Sequence, residues 1–476
     1  MSPAGKARSN AGRTRGGYLS GRDAWLLLAT LAALILLNVP VLGLDGWTFH
    51  TGPVHAKGLF APLVSAASGR WDLGLLRSIA VLAGLLVLAA AAAVLARGRI
   101  RVSLAAGCAV VVVAALLLPA VALQAGLRQS TAPWFYTNDS TYQIEIAGKL
   151  LRDGTNPYGH DYSSSGLERF YSLDGTVAPR TNTRQVALHH LAYFPGTPLV
   201  AAAWGALPEP ISDFRILVAL CSLLLLPAAL LFRGPLGTRL ALGSLLAANP
   251  LIVHGAWFGT ADAVSLLLLV GAFGFASRSR LSTAAALLAG AVLAKQFALV
   301  AVPFFAVMLL ARTEWRRLGR PAAWFAGVLL AGFVPFLVAG PGALWADTVH
   351  YGAGTYRIIG YGLAALLLRA HVLHSRTGYY PFVPLALIVW LPVTAWLLWL
   401  QRRARSAWVG AAGFSLSIFL LLFLARVFQT SYLAWPLAAG ALALLLHGAE
   451  QVQEAEEPVA QETAQEPAIA AGAMDL

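Results

Sequence analysis

Asn138-Asp139-Ser140-Thr141-Tyr142, followed after a short amphipathic run by Gly154-Thr155-Asn156-Pro157-Tyr158, is a polar island in a very apolar chain. It comes directly after a long hydrophobic run. Which side of a membrane it faces depends on how the rest of the chain crosses. Asp139 or Ser140 can cap a helix here, and Ser140-x-x-Gln143 fits a capping box. Tyr142, Ile146, Leu150 and Ala147, Leu151 recur at helical spacing, with Gln143, Glu145, Lys149 and Arg152 opposite. Gly154 is a stop and Asn156-Pro157 a turn. A short helix with one apolar stripe beside a hydrophobic span is expected to lie in the membrane interface.

The chain has 476 residues, 58% of them hydrophobic and only 12% charged. A soluble domain is about one-quarter charged. Apolar runs recur from end to end, so the fold class expected is an all-α polytopic membrane protein. The formal charge of +13 is spread as short clusters between those runs. That is the pattern of topology signals rather than of a nucleic-acid surface, so no nucleic-acid partner is expected. Cys108 and Cys221 lie inside apolar runs, and no CxxC pair or haem motif is present. The first run ends in Asn38-Val39-Pro40 without a small-residue cleavage site, as in a retained span.

Charge then sets direction. Residues 1–22 form a basic arm with Lys6, Arg8, Arg13, Arg15 and Arg22, expected to be disordered and cytoplasmic. An N-terminal segment, 23–126, holds three spans: Ala24 to Gly43, Leu75 to Ala96 and Ser103 to Gly126. Arg97, Arg99 and Arg101 hold their inner turn. Residues 127–210 are then an outer loop with the interfacial helix. Within it Leu191 to Leu207, broken by Pro195, Gly196 and Pro198, is read as re-entrant or shallow. Residues 211–448 form a C-terminal transmembrane bundle, with inner turns marked by Arg233 and Arg239, Arg278 and Arg280, Arg312 to Arg320, and Arg402 to Arg405. Gly362 to His374 is ambiguous. The acidic segment 449–476 is expected to be a disordered cytoplasmic tail. This gives about twelve crossings with both termini inside.

The polar groups gather on the outer face, with almost none at mid-depth. Asp139, Glu145, Asp153, Asp161, Glu168, Asp174, Asp262 and Asp347 are all on outer loops. A transporter needs ionisable groups or broken helices near the midplane, and no inverted repeat is visible. An enzyme acting on lipid-linked substrates needs its polar groups at the interface. The distribution favours the enzyme over a lipid-linked sugar transporter or flippase.

The run Asp139, Tyr142, Ala147, Leu150, Gly154, Asn156-Pro157-Tyr158 resembles the first outer loop of the GT-C integral membrane glycosyltransferases. The nearest likeness is to the polyprenol-phosphate-mannose-dependent mannosyltransferases that elongate phosphatidylinositol mannosides. Tyr193-Phe194-Pro195-Gly196-Thr197-Pro198-Leu199 resembles their aromatic-Pro-Pro-Leu element, with Gly-Thr inserted. Asn249-Pro250 with Gly259-Thr260-Ala261-Asp262 resembles their Asn-Pro…Gly-Gln-x-Asp element, with Thr for Gln. Gly290 to Phe297 is similar to their Gly…Lys helix pair, and Phe428-x-x-x-Tyr432-x-x-Trp435 to their last outer motif. The matches run from about Trp134 to Trp435. The first two spans fall outside the pattern.

The resemblance implies a GT-C-like bundle in the plasma (inner) membrane of the cell envelope. It implies inverting transfer of a sugar, with mannose the family default, from a polyprenyl-phosphate donor to a lipid or glycan acceptor hydroxyl on the outer face. Asp139 is then the expected catalytic base. Expected substrate contacts are Asp262, Lys295, Arg426, His350 and the aromatics Tyr142, Tyr158, Tyr193 and Tyr432. Each has a plainer reading. Asp139 and Asp262 can simply start helices. Lys295 and Arg426 can snorkel. His350, like His189 and His190, can be a loop histidine, and the aromatics fit an interfacial belt. No HExxH or dense His/Asp cluster marks a tightly held metal; a weak divalent cation stays open, and no other cofactor is implied. The Thr260 and Gly196-Thr197 departures also leave room for an inactive assembly subunit.

Overall fold

The computed structural model describes residues 21–41, 49–50, 54–95, 102–131, 135–171, 186–355 and 357–472. Most of the basic arm, the Arg97–Arg101 turn, Trp134 and Asp174 lie outside them. The described chain is almost wholly helical. Its first part holds α1 (Gly21–Val41), α2 (Ala61–Ala66), α3 (Leu73–Leu95), α4 (Val102–Ser130) and α5 (Asp139–Arg152). The middle holds α6 (Gly196–Trp204), α7 (Phe214–Ala228), α8 (Leu236–Ala248), α9 (Pro250–Phe258), α10 (Asp262–Ser277), α11 (Leu281–Ala294) and α12 (Ala301–Arg312). Then come α13 (Gly319–Ala339), α14 (Pro341–Trp345), α15 (Leu363–Arg369), α16 (Phe382–Leu385), α17 (Leu391–Ala404), α18 (Ala407–Leu424) and α19 (Ala434–Gly472). Two small strand pairs complete it: β1 (Phe49–His50) antiparallel to β2 (Phe135–Tyr136), and β3 (Ile359–Gly360) parallel to β4 (Val427–Phe428).

The chain is a multi-pass membrane protein. Among the described residues, six helices are long and apolar enough to cross a bilayer, or seven if α8 and α9 form one span bent by 43°. These helices do not by themselves account for the twelve crossings expected. Other apolar runs form shorter helices, including α10 with 16 residues and α11 with 14. At 1.5 Å per residue these fall short of a hydrocarbon core of about 30 Å. The bend between α8 and α9 has a local cause. Pro250 starts α9, and the Asn249 side chain accepts from the Leu251 and Ile252 amides at 3.0 and 3.1 Å while donating to the Leu245 carbonyl at 2.9 Å. One asparagine thus serves both sides of the break. α6 has nine residues and cannot cross.

One core of Leu, Ala, Val and Phe side chains joins α1, α3, α4 and α7–α12 with α18 and α19. Two spans, Trp315–Ala339 and Phe382–Ala404, have only 11% of their apolar window buried, so most of their surface meets lipid. A second, smaller core covers the Asp139 end of the bundle. There Tyr136, Ala147, Tyr158, Tyr162, Leu167, Phe170, Leu188 and Leu191 pack with Phe336 and Leu344. At the opposite end, Arg239 and Arg278 donate to the carbonyls that end the α7 region, and Arg312 pairs with Glu450. α19 continues as helix into the acidic segment expected to be disordered. Its Ala, Gln and Glu content is strongly helix-forming.

Candidate active site

Asn138, not Asp139 or Ser140, caps α5. Asn138 is extended (φ −146°, ψ 134°), and its side-chain oxygen accepts from the Ser140 and Thr141 amides at 2.9 and 3.3 Å. The expected capping box does not form, because Gln143 donates instead to the carbonyls of Ala187 and His190. Asp139 is thereby the first helical residue, half-buried. Its Oδ1 accepts from the Ser140 amide at 2.7 Å and its Oδ2 from the Tyr171 hydroxyl at 2.8 Å.

The start of α5 is bolted to the end of α9. The Thr141 hydroxyl donates to the Phe258 carbonyl. Gly259 follows in the left-handed region (φ 76°), where a β-carbon would lie 2.6 Å from the Arg215 side chain and 2.8 Å from Thr141. Glycine is required twice over, by conformation and by space. Thr260 and Ala261 then lead directly into Asp262, so this one junction brings Asp139 and Asp262 to the same end of the bundle.

Asp262 is buried. Its Oδ1 accepts from the Trp435 indole at 2.8 Å and lies 3.5 Å from Lys295 Nζ. Lys295 leaves α11 in an extended conformation, and its ammonium stands 5.1 Å from the Tyr193 ring and 5.3 Å from the Phe297 ring. Tyr432 packs edge-on to Phe297, with centroids 5.1 Å apart. Burial lifts the Tyr193 phenol above the usual range, the nearby Ser140 side chain pulls the other way, and the carboxylates of Asp262 and Asp139 add to the rise. A small cavity of about 10 Å³ lies beside Asp262, lined by Thr260, Ile252, Ser431 and Ala434. The inserted Gly196-Thr197 has a role here. A Gly196 β-carbon would meet the Leu293 backbone at 2.6 Å, and the Thr197 hydroxyl donates to the Ala294 carbonyl, the residue before Lys295.

The other expected contacts are placed differently. Tyr158 is buried, donates to the Tyr193 carbonyl at 2.8 Å and meets Phe336 edge-on, so it supports Tyr193 rather than presenting a face. Tyr142 donates to the Ser165 carbonyl at 2.7 Å and packs between Tyr136 and Phe170. Arg426 is buried in a separate cluster, where its guanidinium donates to the carbonyls of Gly378 at 3.0 Å and Arg376 at 3.4 Å. His350 is exposed. Its neighbour Asp347 is instead engaged with His190 Nδ1 at 2.8 Å and the Gly159 amide at 2.8 Å, and Tyr351 stacks on the His190 ring.

Beneath α5 lies a polar network that the sequence reading missed. Arg215, wholly buried, donates from Nε and Nη2 to Asp213 at 2.8 and 2.5 Å and from Nη1 to Gln124 at 2.9 Å. Arg128 pairs with Glu145 at 2.8 Å, and Glu145 also accepts from Tyr136 and from the Phe214 amide. Burial lifts the Glu145 carboxyl above its ordinary range, with Arg128 opposing. Burial would raise Asp213 too, but the Arg215 guanidinium overrides it and holds that carboxyl at about 2. The signal available was an arginine at the head of an apolar run with an aspartate two residues before it.

Compared with family models, curated proteins and solved structures, the chain matches none. Among the described residues no group of three or more His, Cys, Asp or Glu is placed to hold a metal ion.

Proposed function

We propose that this chain is an inverting, GT-C-type glycosyltransferase. It would move a sugar, with mannose the default, from a polyprenyl phosphate to a lipid or glycan hydroxyl on the non-cytoplasmic face of the plasma membrane. The observation that carries the reading is the junction of Thr141 with the Phe258 carbonyl, which sets Asp139 at the same end of the bundle as the Asp262–Lys295 pair, away from Arg312 and Glu450. In this reading the acceptor oxygen bonds to the anomeric carbon as the sugar–phosphate bond breaks. The bonding pair leaves on the phosphate and the hydroxyl proton passes to Asp139. An ammonium has three donors. Asp262 fixes one side of Lys295, and the remaining donors are suited to a phosphate oxygen.

One feature favours a transporter: the broken α8–α9 helix. Its freed backbone groups are satisfied by Asn249, and its neighbours Leu245, Leu246, Leu251 and Ile252 carry no charge. Reconstituted protein given labelled polyprenyl-phosphate mannose and a membrane glycolipid fraction is expected to form a new labelled glycolipid. It should form none from nucleotide-linked mannose. Label crossing the bilayer without a new glycosidic bond would select the transporter instead.

A further inference from the structure

We propose that Tyr171 decides between acceptor and water at Asp139, its hydroxyl holding the acceptor hydroxyl's place until the acceptor arrives. The inference rests on the reading of Asp139 as the base. Both carboxylate oxygens are engaged in the structure, Oδ1 by the Ser140 amide at 2.7 Å and Oδ2 by the Tyr171 hydroxyl at 2.8 Å. The second contact is chemically what a sugar hydroxyl would make: an O–H donated to the carboxylate that is to receive its proton.

The placement of Tyr171 is built from α5 itself. The Tyr142 hydroxyl, one turn along from Asp139, donates to the Ser165 carbonyl at 2.7 Å. Leu167 and Phe170 are buried in the small core over α5, and the Phe170 ring packs 6.0 Å from Tyr142. The turn ends with the Tyr171 amide donating to the Glu168 carbonyl at 3.0 Å. Leu167 and Phe170 fix the loop, while the Tyr171 ring is only half-buried at the edge of that core.

The chemical need is specific. A base positioned beside an activated sugar also activates water. Water oxygen would then bond to the anomeric carbon, the sugar–phosphate bond would break with its pair on the phosphate, and the proton would pass to Asp139. The products would be free sugar and polyprenyl phosphate, wasting the donor. A tethered hydroxyl on Oδ2 excludes water at that position, and an acceptor displaces it only when its other hydroxyls are also bound.

Full-length Tyr171→Phe keeps the ring and removes the hydroxyl. One hydrogen bond to a charged group corresponds to roughly ten- to a hundredfold. The acceptor KM is therefore expected to fall roughly tenfold, and release of free sugar from labelled polyprenyl-phosphate mannose without acceptor to rise by a similar factor. In the Tyr171→Phe, Asp139→Asn double variant that release should return to background. A lower kcat at unchanged KM with no added hydrolysis would overturn the proposal, since Tyr171 would then orient Asp139 throughout. Hydrolysis that persists without the Asp139 carboxylate would overturn it as well. A wild-type protein that transfers no sugar is a different result, and removes the reading beneath it.

Discussion

Replacing Arg215 by Met should destabilise the protein far more than any surface charge substitution. Arg215 has no exposed surface and Asp213 only 2%, so the substitution strands a carboxylate in the interior. Breaking a buried pair from one side costs about 3–5 kcal/mol, because the remaining charge is desolvated and uncompensated. Two details place Arg215→Met near the lower bound. Arg128 stays 3.6 Å from Asp213, and Gln124 keeps the Thr137 hydroxyl at 2.7 Å. Asp213→Asn strands the guanidinium, which retains the Tyr136 ring at 4.9 Å, and should cost a similar amount. The double variant has no stranded charge and should cost less than the two single ones together by at least about 2 kcal/mol.

The pH dependence has a definite sign. The Asp213 carboxyl sits at about 2 when folded, against about 3.9 for an ordinary aspartate. Its contribution is present above about pH 4 and is lost as pH falls toward 2. Tryptophan-fluorescence melts of detergent-solubilised protein across pH 2–7 would measure both effects. A single-variant loss under about 1 kcal/mol, additivity in the cycle, or an acid transition unchanged in Arg215→Met would refute the reasoning.

Gly196→Ala would drive a β-carbon onto the Leu293 backbone at 2.6 Å, so α6 and α11 must separate. A loss of about 1–3 kcal/mol in the same melts is expected, with a raised donor KM because Lys295 follows Ala294. Glu450→Ala removes an acceptor for the Ala407 amide at 2.6 Å and the Ser406 hydroxyl at 2.7 Å, the start of α18. It should lower stability by about 1–2 kcal/mol without altering donor KM. Trp435→Phe deletes the indole donor to Asp262 and should weaken donor binding while leaving acceptor KM unchanged; an unaltered donor KM would show that Asp262 needs no second partner.

The meeting of Asp262 and Lys295 was legible because both end apolar runs whose direction the arginines set. Their link to Asp139 was less so, since it depends on Thr141 reaching the Phe258 carbonyl from far away in sequence. The helix cap was misread because Asn138, Asp139 and Ser140 can all cap, and only the extended backbone at Asn138 decides among them. Hydropathy counts apolar runs and not helix ends, so it did not show that Asn249-Pro250 bends one run or that α10 and α11 are only 16 and 14 residues long. An arginine at the end of a span looks the same whether it faces a phosphate or, like Arg426, two carbonyls of a loop. Tyr171 carried no sequence signal, since its partner lies outside any local motif.

The central claim is that Asp139 accepts the proton in sugar transfer, and Asp139→Asn tests it most directly. The amide is isosteric, and the cap belongs to Asn138, so insertion and thermal stability should match wild type within about 1 kcal/mol. Transfer from polyprenyl-phosphate mannose should fall by about 10²–10⁴ in kcat, the usual contribution of a positioned base. A well-folded Asp139→Asn protein that forms glycosidic bonds at the wild-type rate would contradict the account.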